Sequence, residues 1–445
     1  MIRTLLLIAT LASGVALVAQ PLQLSLKEAE RQALEHSYAM VNAEMDISAS
    51  EREVKEVLAV GLPQVNASVD YQQFLQIPVQ LIPGEFFGLP SGEFAEVQFG
   101  VEYNVTANIR ASQLLFDGTY LVGLRAAKTA VELTANAKVK TAAEVRTSVS
   151  EAYCTALVAK ENERILTENL EAVNELLSET EILYQSGLIE EQDVDQLRLN
   201  RNQIENSLES TRRYLEISMK SLNFLMGIEI DTEVELTDDI DELVRLNNNA
   251  AYLQRDHVME RHPDIRIART SVTVQELTLQ GSRAAYLPTI NLFVNHQQNA
   301  QRNDFNFTES GRPWFPATIL GVTMDIPIFS SFQRKNNVQR SQIELDRSQV
   351  NLNRAEEKLR LEQIRAMADY ENAMKVWDTQ KESTELAERI NERTATKYKE
   401  GVASSTDLNV ARTQMLNEQG RYVDAALKLL TAKQELDKAF NLFED

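Results

Sequence analysis

The hydrophobic period of the chain changes several times, and each change marks a different kind of element. From Tyr120 to Ser186 no proline occurs, and apolar or small residues return in sevens: Ala142, Val149 and Ala156, then Leu170 and Leu177. A second stripe, Val145, Ala152, Ala159, Leu166 and Val173, runs beside the first. Two stripes offset by three and four residues make a coiled-coil seam, so the spacing predicts one helix over the whole stretch. At about 1.5 Å per residue it would be on the order of 100 Å long, several times the reach of a globular core. Gly187 breaks it, and a returning helix is expected from about Glu190 to Met226, with Leu208, Leu215 and Leu222 in sevens beside Leu197 and Ile204. The pair forms an antiparallel hairpin. The second half repeats the plan: Ser331 to Lys399 carries Leu345, Leu352, Leu359, Ala366 and Ala373, Gly401 breaks it, and a helix follows from about Thr406 to Phe443.

Elsewhere the period falls to two. Between Pro63 and Gln73, Val65, Ala67, Val69 and Tyr71 alternate with Gln64, Asn66, Ser68, Asp70 and Gln72. From Phe99 to Ser112 the odd positions are apolar or small and the even ones include Asn104, Thr106, Asn108 and Arg110. A third strand alternates at Ile290, Leu292 and Val294, and a fourth at Leu320, Val322, Met324, Ile326 and Ile328. Each is about the 9 to 11 residues that a tilted strand needs to cross an outer membrane, or somewhat longer. A half-exposed soluble sheet would show the same alternation.

The halves are an internal duplication. Residues 33–73 slide onto 258–298 without a gap and match Glu35 with Glu260, Ala43 with Ala268, Ala59 with Ala284, Leu62-Pro63 with Leu287-Pro288, and Gln72-Gln73 with Gln297-Gln298. The expected organisation is a first repeat over 20–226, with a strand pair about 63–113 and a helical hairpin about 119–226. An acidic connector follows at 227–250, then a second repeat over 251–445 with strands about 288–329 and a hairpin about 331–443. The stretches Leu75 to Gln98 and Ala300 to Phe315, rich in proline and glycine, read as long loops within strand hairpins.

Composition narrows the choices. Lys+Arg number 45 against 66 Asp+Glu, a net charge of −21 that repels a phosphate backbone, so nucleic acid is excluded as a partner class. The single cysteine, Cys154, leaves no internal disulfide, and no cofactor motif is present. Met1 to Ala19 has the basic start and apolar run of a secretory signal peptide. Beyond it no run of 18 apolar residues occurs, so any membrane crossing falls to strands. Four strands cannot close a barrel, and an open edge in lipid leaves backbone groups unpaired at several kcal/mol each. Three copies would supply twelve strands and, from the same operation, a tube of helices. The fold class expected is therefore mainly α with a β membrane barrel: long antiparallel coiled-coil helices forming a trimeric α-barrel, joined to a 12-stranded outer-membrane β-barrel with four strands per protomer.

The duplicated Leu-Pro before strands one and three, the strand ends Leu114-Leu115-Phe116-Asp117-Gly118 and Pro327-Ile328-Phe329-Ser330-Ser331, and the breaks Tyr184-Gln185-Ser186-Gly187 and Tyr398-Lys399-Glu400-Gly401 resemble the TolC-like outer-membrane efflux proteins. The resemblance covers essentially the whole chain after the signal segment, in order. It implies a homotrimer in outer-membrane lipid with a helical tunnel across the periplasm, docking on a periplasmic adaptor protein and an inner-membrane transporter. It further implies that Gly187 and Gly401, with Tyr184 and Tyr398, form the hairpin tips that meet the adaptor. Acidic residues there would line the aperture: Glu190, Glu191, Asp193 and Asp195 in the first hairpin, Asp407 in the second. Asp193 and Asp407 each stand six residues after the tip glycine, and Ser404, Ser405 and Thr406 lie beside Asp407. The second hairpin has Val410 where the family often has a further acid.

Enzymatic readings are weak. His257 and His262 are five apart, a spacing that does not share a helix face as a metal pair would, and a capping or surface role fits better. Cys154 lies in a coiled-coil stretch and reads as a packed small residue. The rival from another class is a soluble periplasmic coiled-coil adaptor or scaffold, which would carry one helical hairpin in a β-rich chain instead of two, each preceded by a strand pair.

Overall fold

The computed structural model describes residues 22–249 and 259–443. The expected signal peptide, Met1 to Ala19, and His257 lie outside the described residues. The chain forms two compact units, one built from 1–44, 137–264 and 356–445, the other from 45–136 and 265–355. Each unit draws on both halves of the sequence.

The first unit is helical. Strand β1 (Leu22–Leu24) pairs in parallel with β6 (Val234–Leu236) in the connector. Ser25 and Glu28 close a reciprocal capping box at the start of α1 (Leu26–His36), and Ser37, in extended conformation, separates it from α2 (Tyr38–Val60). The long helices are α3 (Gly118–Gln185), α4 (Glu191–Met226), α7 (Gln333–Lys399) and α8 (Ser405–Phe440). Many of their sevens are buried in this unit, Val149, Ala156, Val173 and Leu177 on α3, Leu208 and Leu222 on α4, and Leu359, Ala366 and Ala373 on α7, while Ala142, Leu170 and Leu215 are half-buried. The connector is not a bare acidic strap. Its helix α5 (Ile240–Asn247) buries Ile240, Leu243 and Val244 in the same core as Tyr153, Tyr370 and Leu429. Two buried tyrosines fasten it: Tyr153 accepts from the Asp238 N–H at 3.4 Å while donating to the Leu24 carbonyl of β1 at 3.0 Å, and Tyr370 donates to the Asn247 carbonyl. Buried hydroxyls must find acceptors, so these bonds specify where the connector lies.

The second unit is built on an antiparallel four-stranded sheet of order β2 (Gln64–Gln73), β5 (Tyr103–Phe116), β7 (Thr289–Arg302) and β8 (Phe315–Asp325), with α6 (Pro263–Ala284) leading into β7. The register sorts the two faces. Val65, Val69 and Tyr71 stand opposite Ala111, Ala107 and Val105, then Val294 and Leu292, then Leu320 and Val322, all on one side. That side is bare: Val69 is 73% and Leu320 71% exposed. The other side carries Asn66, Ser68, Asn104, Thr106, Asn108, Asn295, Gln297 and Asn299. β2 and β8 are edges with one strand neighbour each.

Several expected boundaries move. β5 starts at Tyr103, four residues after Phe99, because Gly100 adopts a φ of +142° and interrupts the run. It continues past Ser112 to Phe116, with a bulge between Leu114 and Phe116 that the alternation could not register. β7 extends to Arg302 through a stretch of amides. The stretch from Leu75 to Gln98 is not a plain loop: β3 (Val79–Pro83) and β4 (Phe94–Gln98) pair as a separate two-stranded sheet around a 3-10 turn at Gly84–Phe87. Among the described residues no helix is long and apolar enough to cross a membrane.

Candidate functional site

Both hairpin tips are built by the same backbone device. Gly187 (φ +72°) and Gly401 (φ +74°) take the left-handed conformation that ends a helix, and their N–H groups donate to the carbonyls of Tyr184 (2.9 Å) and Tyr398 (3.0 Å). Leu188 N–H then reaches back to Leu183, and Val402 N–H to Lys397. The returning helices start differently. Glu190 precedes α4 without a side-chain cap, whereas Ser404 caps α8 in a capping box closed by Asp407. The Asp407 carboxylate accepts from Ser404 Oγ at 2.7 Å and from its N–H at 3.0 Å. These bonds, the side-chain one first, hold its pKa below the usual carboxylate range.

Asp193 has a different partner. Its carboxylate accepts from the hydroxyl of Ser405, which is buried. The two hairpins are joined there by further bonds: Thr406 to Gln196 at 3.3 Å, Asn200 to Asn409 at 2.6 Å, and Thr180 with Tyr398 at 3.3 Å. Beneath them Leu176, Leu177, Val194, Leu197 and Leu408 form a small core of their own, with Tyr398 packed against it. Arg412, from α8, donates to the Ala172 carbonyl on α3 at 2.8 Å. Glu190 and Glu191 are exposed, and exposed Asp195 pairs with Arg198 at 3.6 Å, which also holds Glu181 at 2.8 Å. Tyr184 stays exposed. The structure thus brings Asp193 to the second hairpin while Asp407 serves its own helix start. Ser405, Thr180 and Arg412 were not assigned to this junction by sequence, and only the Ser404-to-Asp407 capping spacing carried a local signal for part of it.

The other candidates are accounted for by packing. His262 is buried, its Nδ1 accepting from the Asp264 N–H at 3.3 Å and its Nε2 lying 3.2 Å from the Lys438 carbonyl. Burial is the main influence on its pKa, which is lowered. Cys154 is buried beside Gln434, and burial pushes its thiol up to about 12. Among the described residues no group of three or more His, Cys, Asp or Glu is placed to hold a metal ion.

A family model described as outer membrane efflux protein matches residues 30–228 and 255–442. The chain belongs to the outer membrane efflux protein family. Among curated relatives it is similar to Protein CyaE of Bordetella pertussis, 23% identical over 354 residues that cover 76% of this chain and 72% of that protein. It is also similar to the probable efflux pump outer membrane protein TtgC of Pseudomonas putida, 23% identical over 294 residues, 66% of this chain and 59% of that one. The fold matches the CmeC outer membrane channel of Campylobacter jejuni with a TM-score of 0.71 at 18% identity, covering 93% of this chain and 85% of that one. Membership in this family makes the chain an outer-membrane channel component of an efflux or secretion system, with its helical part in the periplasm, and decides against a soluble scaffold.

Proposed function

We propose that three copies of this chain assemble into one conduit that exports solutes across the periplasm and outer membrane, fed by a periplasmic adaptor and an inner-membrane transporter. The observation that carries this reading is the four-stranded sheet with two free edges and a bare apolar face. A free edge in hydrocarbon is costly, and joining β8 of one protomer to β2 of the next removes every edge once three copies close. The apolar face then meets lipid and the polar face lines the lumen. The sequence organisation as two repeats around a connector supports the same picture, since each repeat supplies one strand pair and one helical hairpin.

In this reading the tips are the periplasmic aperture. Glu190, Glu191, Asp193, Asp195 and Asp407 give it a negative rim, and Tyr184, Gly187, Tyr398 and Gly401 form the turns against which the adaptor docks. Exposed Leu188 and Val402 beside the glycines offer apolar contact to such a partner. Native mass spectrometry of the protein extracted from outer membranes in mild detergent tests the assembly. A trimer is the expected result, and a monomer recovered from the soluble periplasm would remove the conduit. Neutralising Asp193 and Asp407 together should weaken block of single channels by polyvalent cations, and unchanged block would take both carboxylates off the pore.

A further inference from the structure

The polar face of the sheet is almost free of charge. On β2, β5 and β7 it presents mostly Gln, Asn, Ser and Thr, on β8 mostly small or apolar residues such as Ala317 and Ile319, and among the described residues Arg110 is the only basic side chain on that face of the four strands. The acids that share the face stand well away along the strands. Asp70 pairs in register with Thr106, four residues from Arg110, and Asp325 pairs with Thr289, six residues from Asn295, the partner of Arg110. At about 3.3 Å per residue these offsets are roughly 13 and 20 Å, beyond ion-pair reach.

The guanidinium is not left to wander. It sits over the ring of Phe293, 4.7 Å from the centroid. Phe293 can take that place because position 321, opposite it on β8, is glycine: a Cβ there would lie 2.7 Å from Phe293 Cζ. Three neighbouring strands therefore contribute one residue each to a platform for a single cation. Stacking on a ring face uses no N–H group, so the donor edges of the guanidinium remain available. Arg110 is exposed, and no hydrogen bond or ion pair to the described residues occupies it. Beside it, the side-chain oxygen of Asn295 is buried without a hydrogen-bond partner among the described residues.

We propose that Arg110 is an anion-recognition point on the lumen wall of the barrel, one per protomer, at which anionic groups of passing solutes pair with the guanidinium. The assignment rests on the trimeric channel reading. A planar guanidinium held over a ring matches carboxylate or phosphate oxygens in a two-pronged geometry that a mobile lysine does not reproduce. With no other basic side chain on that face among the described residues, three such charges, one per protomer, shape the local field, which makes the residue a determinant of which ions and solutes pass easily.

Planar-bilayer recordings on purified trimer test this, with wild type, Arg110→Gln and Arg110→Lys compared under a potassium chloride gradient and with inorganic triphosphate added on the side of the strand loops. Arg110→Gln should raise the potassium-to-chloride permeability ratio by about twofold or more and relieve triphosphate block. Arg110→Lys should keep the permeability ratio near wild type yet weaken the block, because charge remains and the two-pronged geometry is lost. If wild type conducts and Arg110→Gln leaves both the ratio and the block unchanged, the assignment to Arg110 is wrong although the channel reading stands. If wild-type trimer forms no channel, the channel reading itself fails. Native mass spectrometry of each variant verifies that the trimer is intact.

Discussion

The hydroxyl of Ser405 donates to the carboxylate of Asp193, tying the first turn of α8 to the first turn of α4. One hairpin is thereby latched to the other inside a single protomer, next to the tip turns. A hydrogen bond to an ionised group contributes about 1.5 to 3 kcal/mol, and here the donor is buried while the acceptor is half-buried, so solvent competes weakly. The Val194, Leu197 and Leu408 contacts beneath the bond set the helix spacing and would survive its loss.

Ser405→Ala should therefore loosen the tip without unfolding the coiled coils. Single-channel conductance is expected to rise by about twofold or more, while the melting temperature in detergent stays within a few degrees of wild type. A conductance equal to that of wild type would mean that the latch plays no part in holding the aperture.

Asp407 makes a different prediction from an equally short sequence distance. Its folded pKa lies below its unfolded one because Ser404 donates to it twice, so its contribution to stability is present above the ordinary carboxylate range and is lost as pH falls through the depressed value. Ser404→Ala removes the acceptor for the Asp407 amide. Hydrogen exchange of that amide at neutral pH should become about fivefold faster, with the tip of α4 unaffected. Equal exchange in both proteins would show that the capping box is not formed in solution.

The contrast between these two aspartates marks how far the sequence could be read. Both were legible as first-turn acids, because the tip glycines and the heptads fixed where each helix restarts. Their partners were not, since Ser405 meets Asp193 only after two hairpins from opposite halves of the chain pack together. The strands show the same limit. Alternation located all four members of the main sheet, yet it could not see β7 continuing through Gln297, Gln298 and Asn299, because amides carry no hydrophobic signature. It also missed the β3–β4 ribbon, where prolines and glycines gave the pattern of a loop. The connector was legible as acidic, but the tyrosines that fasten it, Tyr153 and Tyr370, lie far away in sequence on α3 and α7.

Gly227 is a position where no side chain fits. It ends α4 at a φ of +74°, and a Cβ there would lie 2.2 Å from the carbonyl oxygen of His36 at the end of α1. Backbone atoms on both sides leave nothing flexible to yield. Gly227→Ala should cost more than about 1 kcal/mol, from the left-handed strain and the clash together, and lower the melting temperature of the trimer. A variant as stable as wild type would show that α1 and α4 separate easily at this point.

His262 links two helix ends through one imidazole, and the link demands a single protonation state. Nδ1 accepts from the Asp264 amide at the start of α6, so it must be unprotonated; Nε2 then carries the hydrogen and donates to the Lys438 carbonyl in the last turn of α8. Protonation would turn Nδ1 into a donor facing another donor. The charged neighbours pull both ways: Asp264 and Glu362 favour the charged form, Lys140 opposes it, and burial, the largest influence, keeps the folded pKa below the unfolded value. The unfolded chain therefore binds more protons in the interval between them, and stability gained above about pH 6.5 is lost as pH falls toward the folded value. Melting curves from pH 7.5 to 5.5 should show wild type losing stability with acidification and His262→Ala starting lower by about 1 kcal/mol but varying less across the same range. Exchange of the Asp264 amide gives the local readout, since it should accelerate with acid, beyond the intrinsic exchange trend, only when His262 is present. A wild-type curve that parallels the variant throughout would show that the imidazole takes up its proton equally in the folded and unfolded chain, and that the two helix ends are held by other contacts.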